Sequence, residues 1–111
     1  MHIENLIQNF IATANAHDTK AFLENWHADA VLNDPSVGEV FNGHAGIQNY
    51  FEDYFIGYKT QTKLLKLDIL HENTAQILVE FTGNFPGNKT DGTFDFQFKD
   101  GKITFAKADL I

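Results

Sequence analysis

Residues 18–51 read DTKAFLENWHADAVLNDPSVGEVFNGHAGIQNYF. Asp18 is placed to cap a short helix over 19–26, which would set Phe22 and Trp26 one turn apart. Residues 30–33 then read as a short strand that runs into Asp34 and is broken by Pro35 and Gly38. Some ten residues on, Asn42-Gly43-His44-Ala45-Gly46-Ile47 opens a second amphipathic helix. A helix, a strand ending in Asp-Pro and another helix can build the mouth of a pocket with one carboxylate at its rim.

Outward from this stretch the period changes. Upstream, Ile3, Leu6, Ile7, Phe10, Ile11 and Ala14 fall at helical spacing and predict one helix with a single apolar stripe over 2–16. Downstream, the spacing predicts a helix over 43–57 with Ile47, Tyr50, Phe51, Tyr54, Phe55 and Tyr58 on its apolar face. After that the apolar residues alternate: Leu65, Leu67, Ile69; Ala75, Ile77, Val79, Phe81; Phe94, Phe96, Phe98; Ile103, Phe105. Turns are expected at Glu72-Asn73, around Pro86-Gly87-Asn88-Lys89 and at Asp100-Gly101, the last a strong hairpin signal. Three helices and four long antiparallel strands predict a single α+β domain over 1–111, with helices on one sheet face.

Composition narrows the chemistry. The chain has 111 residues, 8 basic against 15 acidic side chains and a net charge of −7. Every basic residue is Lys, so bidentate guanidinium recognition of phosphate or carboxylate is excluded. The charge balance argues against nucleic acid as a partner. Without Cys there are no disulfides, thiolate metal sites or Cys nucleophiles. Ser36 is the only serine and lacks a Gly-x-Ser-x-Gly setting. The five His show no metal-ligand spacing, so neither metal nor cofactor is expected. No window reaches the roughly 20 apolar residues of a membrane span, and no export signal is evident, which makes the cytoplasm the expected location. Eleven Phe in so short a chain suggest an aromatic core or an aromatic-lined cavity.

Asn15-Ala16-His17-Asp18, the segment from Trp26 to Pro35, Gly43-x-x-x-Ile47 and Phe96-Gln97-Phe98-Lys99-Asp100-Gly101-Lys102-Ile103 occur in an order and spacing that resemble the nuclear transport factor 2-like superfamily, in its SnoaL-like and ketosteroid isomerase-like branch. The resemblance covers nearly the whole chain. It implies three N-terminal helices packed in a strongly curved, mainly antiparallel sheet, a cone-shaped α+β barrel with a cavity open at one end, and a homodimer. In ketosteroid isomerases the carboxylate of the Asp-Pro pair is the general base, a role that falls on Asp34. The two enolate-stabilising donors of those enzymes fall on Phe10 and Phe94, neither of which donates a hydrogen bond. Steroid isomerisation is therefore disfavoured. The Asp-Arg-Asp network of the epoxide hydrolase branch is ruled out by the missing Arg.

The expected site is a mostly apolar cavity. Phe10, Trp26, Tyr50, Tyr54, Phe94 and Phe96 are its candidate ligand-binding residues, Asp34 its catalytic carboxylate and His27 a catalytic acid/base partner. Each has a plainer alternative. Asp-Pro often forms a turn in which the carboxylate accepts backbone hydrogen bonds. Trp26 also fits the core, a stripe Tyr can show its hydroxyl to water, and His27 also fits the surface. Two functions follow: a cofactor-free isomerase, cyclase or lyase acting on a small apolar or aromatic metabolite, or a non-catalytic ligand-binding or dimerisation module.

Overall fold

The computed structural model describes residues 2–111. The order of elements is α1 (Ile3–Asn15), α2 (Thr19–Leu23), β1 (Trp26–Asp34), β2 (Glu39–Asn42), α3 (Gly43–Phe51), a π-helical turn (Glu52–Ile56), β3 (Gln61–His71), β4 (Thr74–Thr82), β5 (Lys89–Lys99) and β6 (Lys102–Leu110). This is an α+β fold of three helices on a six-stranded mixed sheet, ordered β2-β1-β6-β5-β4-β3. The β1–β6 pair is parallel and the other pairs are antiparallel.

The stripe on α1 does what its spacing requires: Ile3, Ile7, Phe10 and Ala14 are buried. At its end His17 takes a left-handed conformation (φ 54°), and the Asp18 carboxylate caps α2 by accepting from the Ala21 N–H at 3.1 Å. Asn15 clamps the helix end to β3. Its Nδ2 donates to the Thr62 carbonyl at 2.9 Å and its Oδ1 accepts from the Thr62 N–H at 2.7 Å. A side-chain amide thus completes the strand's backbone pairing at that point.

The inner face of the sheet carries the alternating apolar residues. Ala75 pairs with Phe96 and Phe96 with Ala106, and Ile77 pairs with Phe94 and Phe94 with Ala108, all on the face that packs against the helices. The small Ala residues leave room for the rings beside them. The Phe-rich face is thus the covered one. The outer face mixes polar side chains with Leu78 and Phe105, and Gln76 donates to Asp95 across the strands at 2.8 Å. The Asp100-Gly101 turn closes the β5–β6 hairpin with both residues at positive φ (52° and 78°), the twist that a two-residue hairpin loop favours. Glu72-Asn73 likewise joins β3 to β4. The edge strand β3 shifts register twice, between Leu64 and Lys66 and between Ile69 and His71.

Four expectations need correction. Helix α2 stops at Leu23, and Trp26 starts a strand instead of ending a helix: its register partner is Ile103 of β6, whose N–H bonds to the Asn25 carbonyl at 2.8 Å. β1 is nine residues long, and β2 is an extra strand. The helix expected over 43–57 is α-helical only to Phe51 and then widens into the π turn, closed by the Gly57 N–H on the Glu52 carbonyl at 2.9 Å. Finally, two of the strands precede α3, so the helices do not form one N-terminal block. Gly43 makes that entry into α3 feasible. It sits at φ 67°, and a Cβ there would lie 3.1 Å from the Ala28 carbonyl oxygen.

Candidate functional site

Asp34 is the last residue of β1 and pairs with Glu39 of β2. Residues 35–38 turn the chain between them, with the Val37 N–H bonding to the Asp34 carbonyl and the Gly38 N–H to the Pro35 carbonyl. The Asp34 side chain is buried, 5% exposed. Its Oδ1 accepts from the Ser36 N–H at 3.0 Å and from the Ser36 hydroxyl. The turn-forming role is therefore present. It engages one carboxylate oxygen, and the residue also lines a pocket of about 230 Å³.

That pocket lies where the β1–β2 turn meets α3, its π turn and the ends of β4 and β5. Tyr50, Tyr54 and Tyr58, each four residues from the next, form one wall. Phe55, Phe81, Phe85 and Thr60 also line it. The Tyr50 and Tyr54 ring centroids are 5.4 Å apart, those of Tyr54 and Tyr58 6.5 Å, and Phe85 meets Tyr58 edge-on at 6.0 Å. Buried Thr60 donates from its hydroxyl to the Tyr54 carbonyl at 2.8 Å, which ties down the π turn where regular helix bonding lapses.

Tyr50 is 4% exposed, and its phenol is held well above the ordinary value of 10.0. Burial is the main cause. The Asp34 charge comes next, then hydrogen bonding to Asp34 and the charge of Tyr54. Tyr54 is also raised, by burial first and then by Glu39, Asp53, Asp34 and Tyr58. Both phenols therefore stay protonated, and so remain donors, at neutral pH. A stability test follows from the sign. Below about pH 10 Tyr50 is protonated in both folded and unfolded chains and contributes no pH dependence. As pH rises from there toward the raised folded value, only the unfolded chain releases the proton, so stability falls by up to about 1.4 kcal/mol per pH unit. Denaturant titrations between pH 9 and pH 11 should show a shallower alkaline decline in Tyr50→Phe than in the parent. Parallel curves would contradict the coupling.

The sequence-predicted residues separate into two groups. Asp34, Tyr50 and Tyr54 come together in the pocket. Phe10, Trp26, Phe94 and Phe96 do not line it. Each is at most 1% exposed, and they fill the core against one another: Phe10 lies 5.2 Å from Phe94, 5.1 Å from Phe96 and 6.3 Å from Trp26 between ring centroids. Large rings on facing elements close the space that smaller side chains would leave open. His27 sits near the opposite end of β1, roughly 20 Å along the strand from Asp34. Its Nε2 pairs with the Lys99 carbonyl at 2.7 Å, so it does not form the expected partnership with Asp34. The sequence reading missed Ser36, Thr60, Phe81 and Phe85. The Tyr50-Tyr54-Tyr58 spacing was visible, but its meeting with Phe85 depends on a loop that no periodicity reaches. Among the described residues, no group of three or more His, Asp or Glu gathers to hold a metal ion. None of the helices there is long and apolar enough to cross a membrane.

Three helices on a mixed sheet of this order, with an acid at the end of the first strand facing the third helix, define the nuclear transport factor 2-like class. The model of the SnoaL-like domain matches residues 7–106, and the chain belongs to that family. Its fold is similar to that of a provisionally assigned polyketide cyclase from Sinorhizobium meliloti, with a TM-score of 0.85 and 22% identity over 94% of this chain and 93% of that one. A provisionally assigned ketosteroid isomerase from Kribbella flavida is similar with a TM-score of 0.83 and 18% identity, covering 96% of this chain and 76% of the other. SalBIII, an epoxide hydrolase/cyclase-like enzyme described in pyran ring formation in the polyether salinomycin, gives 0.84 and 16% identity over 97% and 89%. These likenesses establish the fold. No curated protein matches the sequence.

Proposed function

We propose that this protein is a small-molecule pocket protein of the SnoaL-like class, acting as a cofactor-free isomerase, cyclase or lyase on a small, largely apolar or aromatic metabolite, with Asp34 as general base. One observation carries the reading: a buried carboxylate and a buried phenol, Asp34 and Tyr50, line one aromatic pocket. In the step this suggests, the Asp34 carboxylate removes a proton from a carbon next to a carbonyl. The C–H electron pair moves to the carbonyl oxygen, and Tyr50 donates a hydrogen bond to it. Asp34 then returns the proton at another carbon, or a leaving group departs. Tyr50 thus stands in for the donors that are lost where Phe10 and Phe94 occupy the family's positions. The provisional cyclase and isomerase assignments among the fold's relatives agree with this chemistry.

Phe10 and Phe94 also favour the alternative, a non-catalytic ligand-binding module, because their contact fills the interior in which the family's chemistry is done. Native mass spectrometry of the purified protein tests the shared part of both readings: a retained small molecule is expected, displaced when Tyr54 is changed to a bulkier Trp. Exchange of deuterium from solvent into that molecule, dependent on Asp34, separates enzyme from module. The same reading includes a cytoplasmic homodimer that associates through the outer face of the sheet, which the helices leave uncovered. Sedimentation at micromolar concentration should give twice the 12.5 kDa chain mass, and a monomer would remove the dimer from the proposal.

A further inference from the structure

The pocket's walls and its charge have different preferences, and one ligand class meets both. Three Tyr rings and three Phe rings border it, and its only ionisable group besides the tyrosines is an acid, Asp34. Neither Lys nor His lines it. The acids Glu39 and Asp53 lie close enough to act on Tyr54 together with Asp34, and all three bear the same sign. The nearby Lys89 is engaged by Glu80 at 3.2 Å. An anion entering here would meet the Asp34 carboxylate with no cationic side chain among the lining residues. A neutral apolar molecule would use the rings and leave the carboxylate without a counter-charge, which is costly in a largely desolvated site. A compact cation whose charge is spread over alkyl groups satisfies both. Ring faces attract it through their quadrupole, and its hydration is weak enough to shed.

We infer that the pocket selects a small organic monocation, an alkylammonium or quaternary ammonium head, held by Tyr50, Tyr54 and Tyr58 with Asp34 as counter-charge. This rests on the pocket being a small-molecule site, and it narrows the metabolite of that reading to one that carries an alkylammonium group. The ladder geometry supports it. Tyr50, Tyr54 and Tyr58 place ring centroids 5.4 and 6.5 Å apart along one wall, and Phe85 closes the end edge-on to Tyr58. A cation beside Tyr54, the middle ring, has Tyr50 and Tyr58 on either side, with Asp34 lining the same pocket.

The test uses choline and its uncharged isostere 3,3-dimethyl-1-butanol, titrated into the whole protein and followed by NMR. Choline should bind roughly tenfold tighter than the isostere, the size of effect that ring faces and one counter-charge supply. Its N-methyl signal should move upfield under the ring currents. Asp34→Asn should abolish the preference for choline and leave the isostere's binding unchanged. Tyr54→Leu, which keeps apolar bulk and removes the ring, should weaken choline several-fold, and it serves as the independent probe if Asp34→Asn does not fold. Glu4→Gln, on α1 and outside the pocket, should change nothing. Equal binding of the two probes overturns the cation inference and leaves the small-molecule pocket standing. Choline weakened as much by Glu4→Gln as by Asp34→Asn also overturns it, since the net charge alone would then account for the attraction. If neither probe shifts pocket signals and native mass spectrometry finds no retained molecule, the pocket reading falls too.

Discussion

Truncating Phe22 to alanine should destabilise the fold by about 4 kcal/mol and lower the melting temperature by roughly 15 °C. Phe22 comes from a five-residue helix that has little stability of its own, yet its ring is fully buried. It stacks on Phe51 at 4.1 Å and 12°, and it also meets Phe10 at 5.4 Å, Trp26 at 6.0 Å and Phe55 at 6.1 Å. These neighbours belong to α1, β1, α3 and the π turn, so one side chain ties the helical layer to the sheet. They cannot readily fill the space, because each also packs against at least one further ring. A domain of this size has a total stability of about 5–15 kcal/mol, so such a loss is a large share of it. Chemical denaturation with an unchanged m-value is the measurement. A loss below about 1 kcal/mol would mean that the aromatic cluster is loosely packed and rearranges freely.

The second large effect concerns turnover. Asp34→Asn should reduce deuterium exchange into the retained ligand by about 10²–10⁴-fold, the usual contribution of a positioned general base. Stability should change little. The amide oxygen of Asn can take the place of Oδ1 and still accept from the Ser36 N–H and hydroxyl, while the NH₂ points to the pocket side. Asp34→Ala, by contrast, should cost about 0.5–1.5 kcal/mol, because it removes the acceptor that holds the Ser36 N–H and hydroxyl in the turn. The pair of variants separates the two roles of this carboxylate: Asn tests the chemistry and Ala tests the turn. Exchange that survives in the Asn variant would assign Asp34 to the turn alone and favour the binding module.

The legible parts of this fold are those set by local periodicity. The stripe of α1, the alternation of Ile77 and Val79 or of Phe94, Phe96 and Phe98, and the Asp100-Gly101 turn follow from side-chain spacing and backbone chirality. Asp18 as cap and Asp34 at a strand end were legible for the same reason. What escaped depends on distant partners. Trp26-His27-Ala28-Asp29 does not alternate, and a register shift between Trp26 and Val31 is what lets it join β6. Glu39–Asn42 is a strand only because β1 offers it an edge. Of the candidate residues, Asp34, Tyr50 and Tyr54 line one pocket, but the sequence could not rank filling against lining. Whether a Phe borders a cavity or plugs it is decided by the rings across from it, and the Phe10–Phe94 contact joins residues far apart in the chain.

The two borders of the sheet bear on how copies of the chain can meet. One border is β2, only four residues long. The other is β3, eleven residues long, with exposed Lys63 and Lys66 and register breaks between Leu64 and Lys66 and between Ile69 and His71. Open backbone on a long flat strand is a template for endless stacking, and short length, lysines and bulges are what interrupt it. Exposed Ile69 and Leu70 would otherwise make the far end of β3 adhesive, but the second break falls there and twists the ladder out of line. Growth into fibrils by strand addition is thereby blocked at both borders, and crowded solutions of this protein should stay clear.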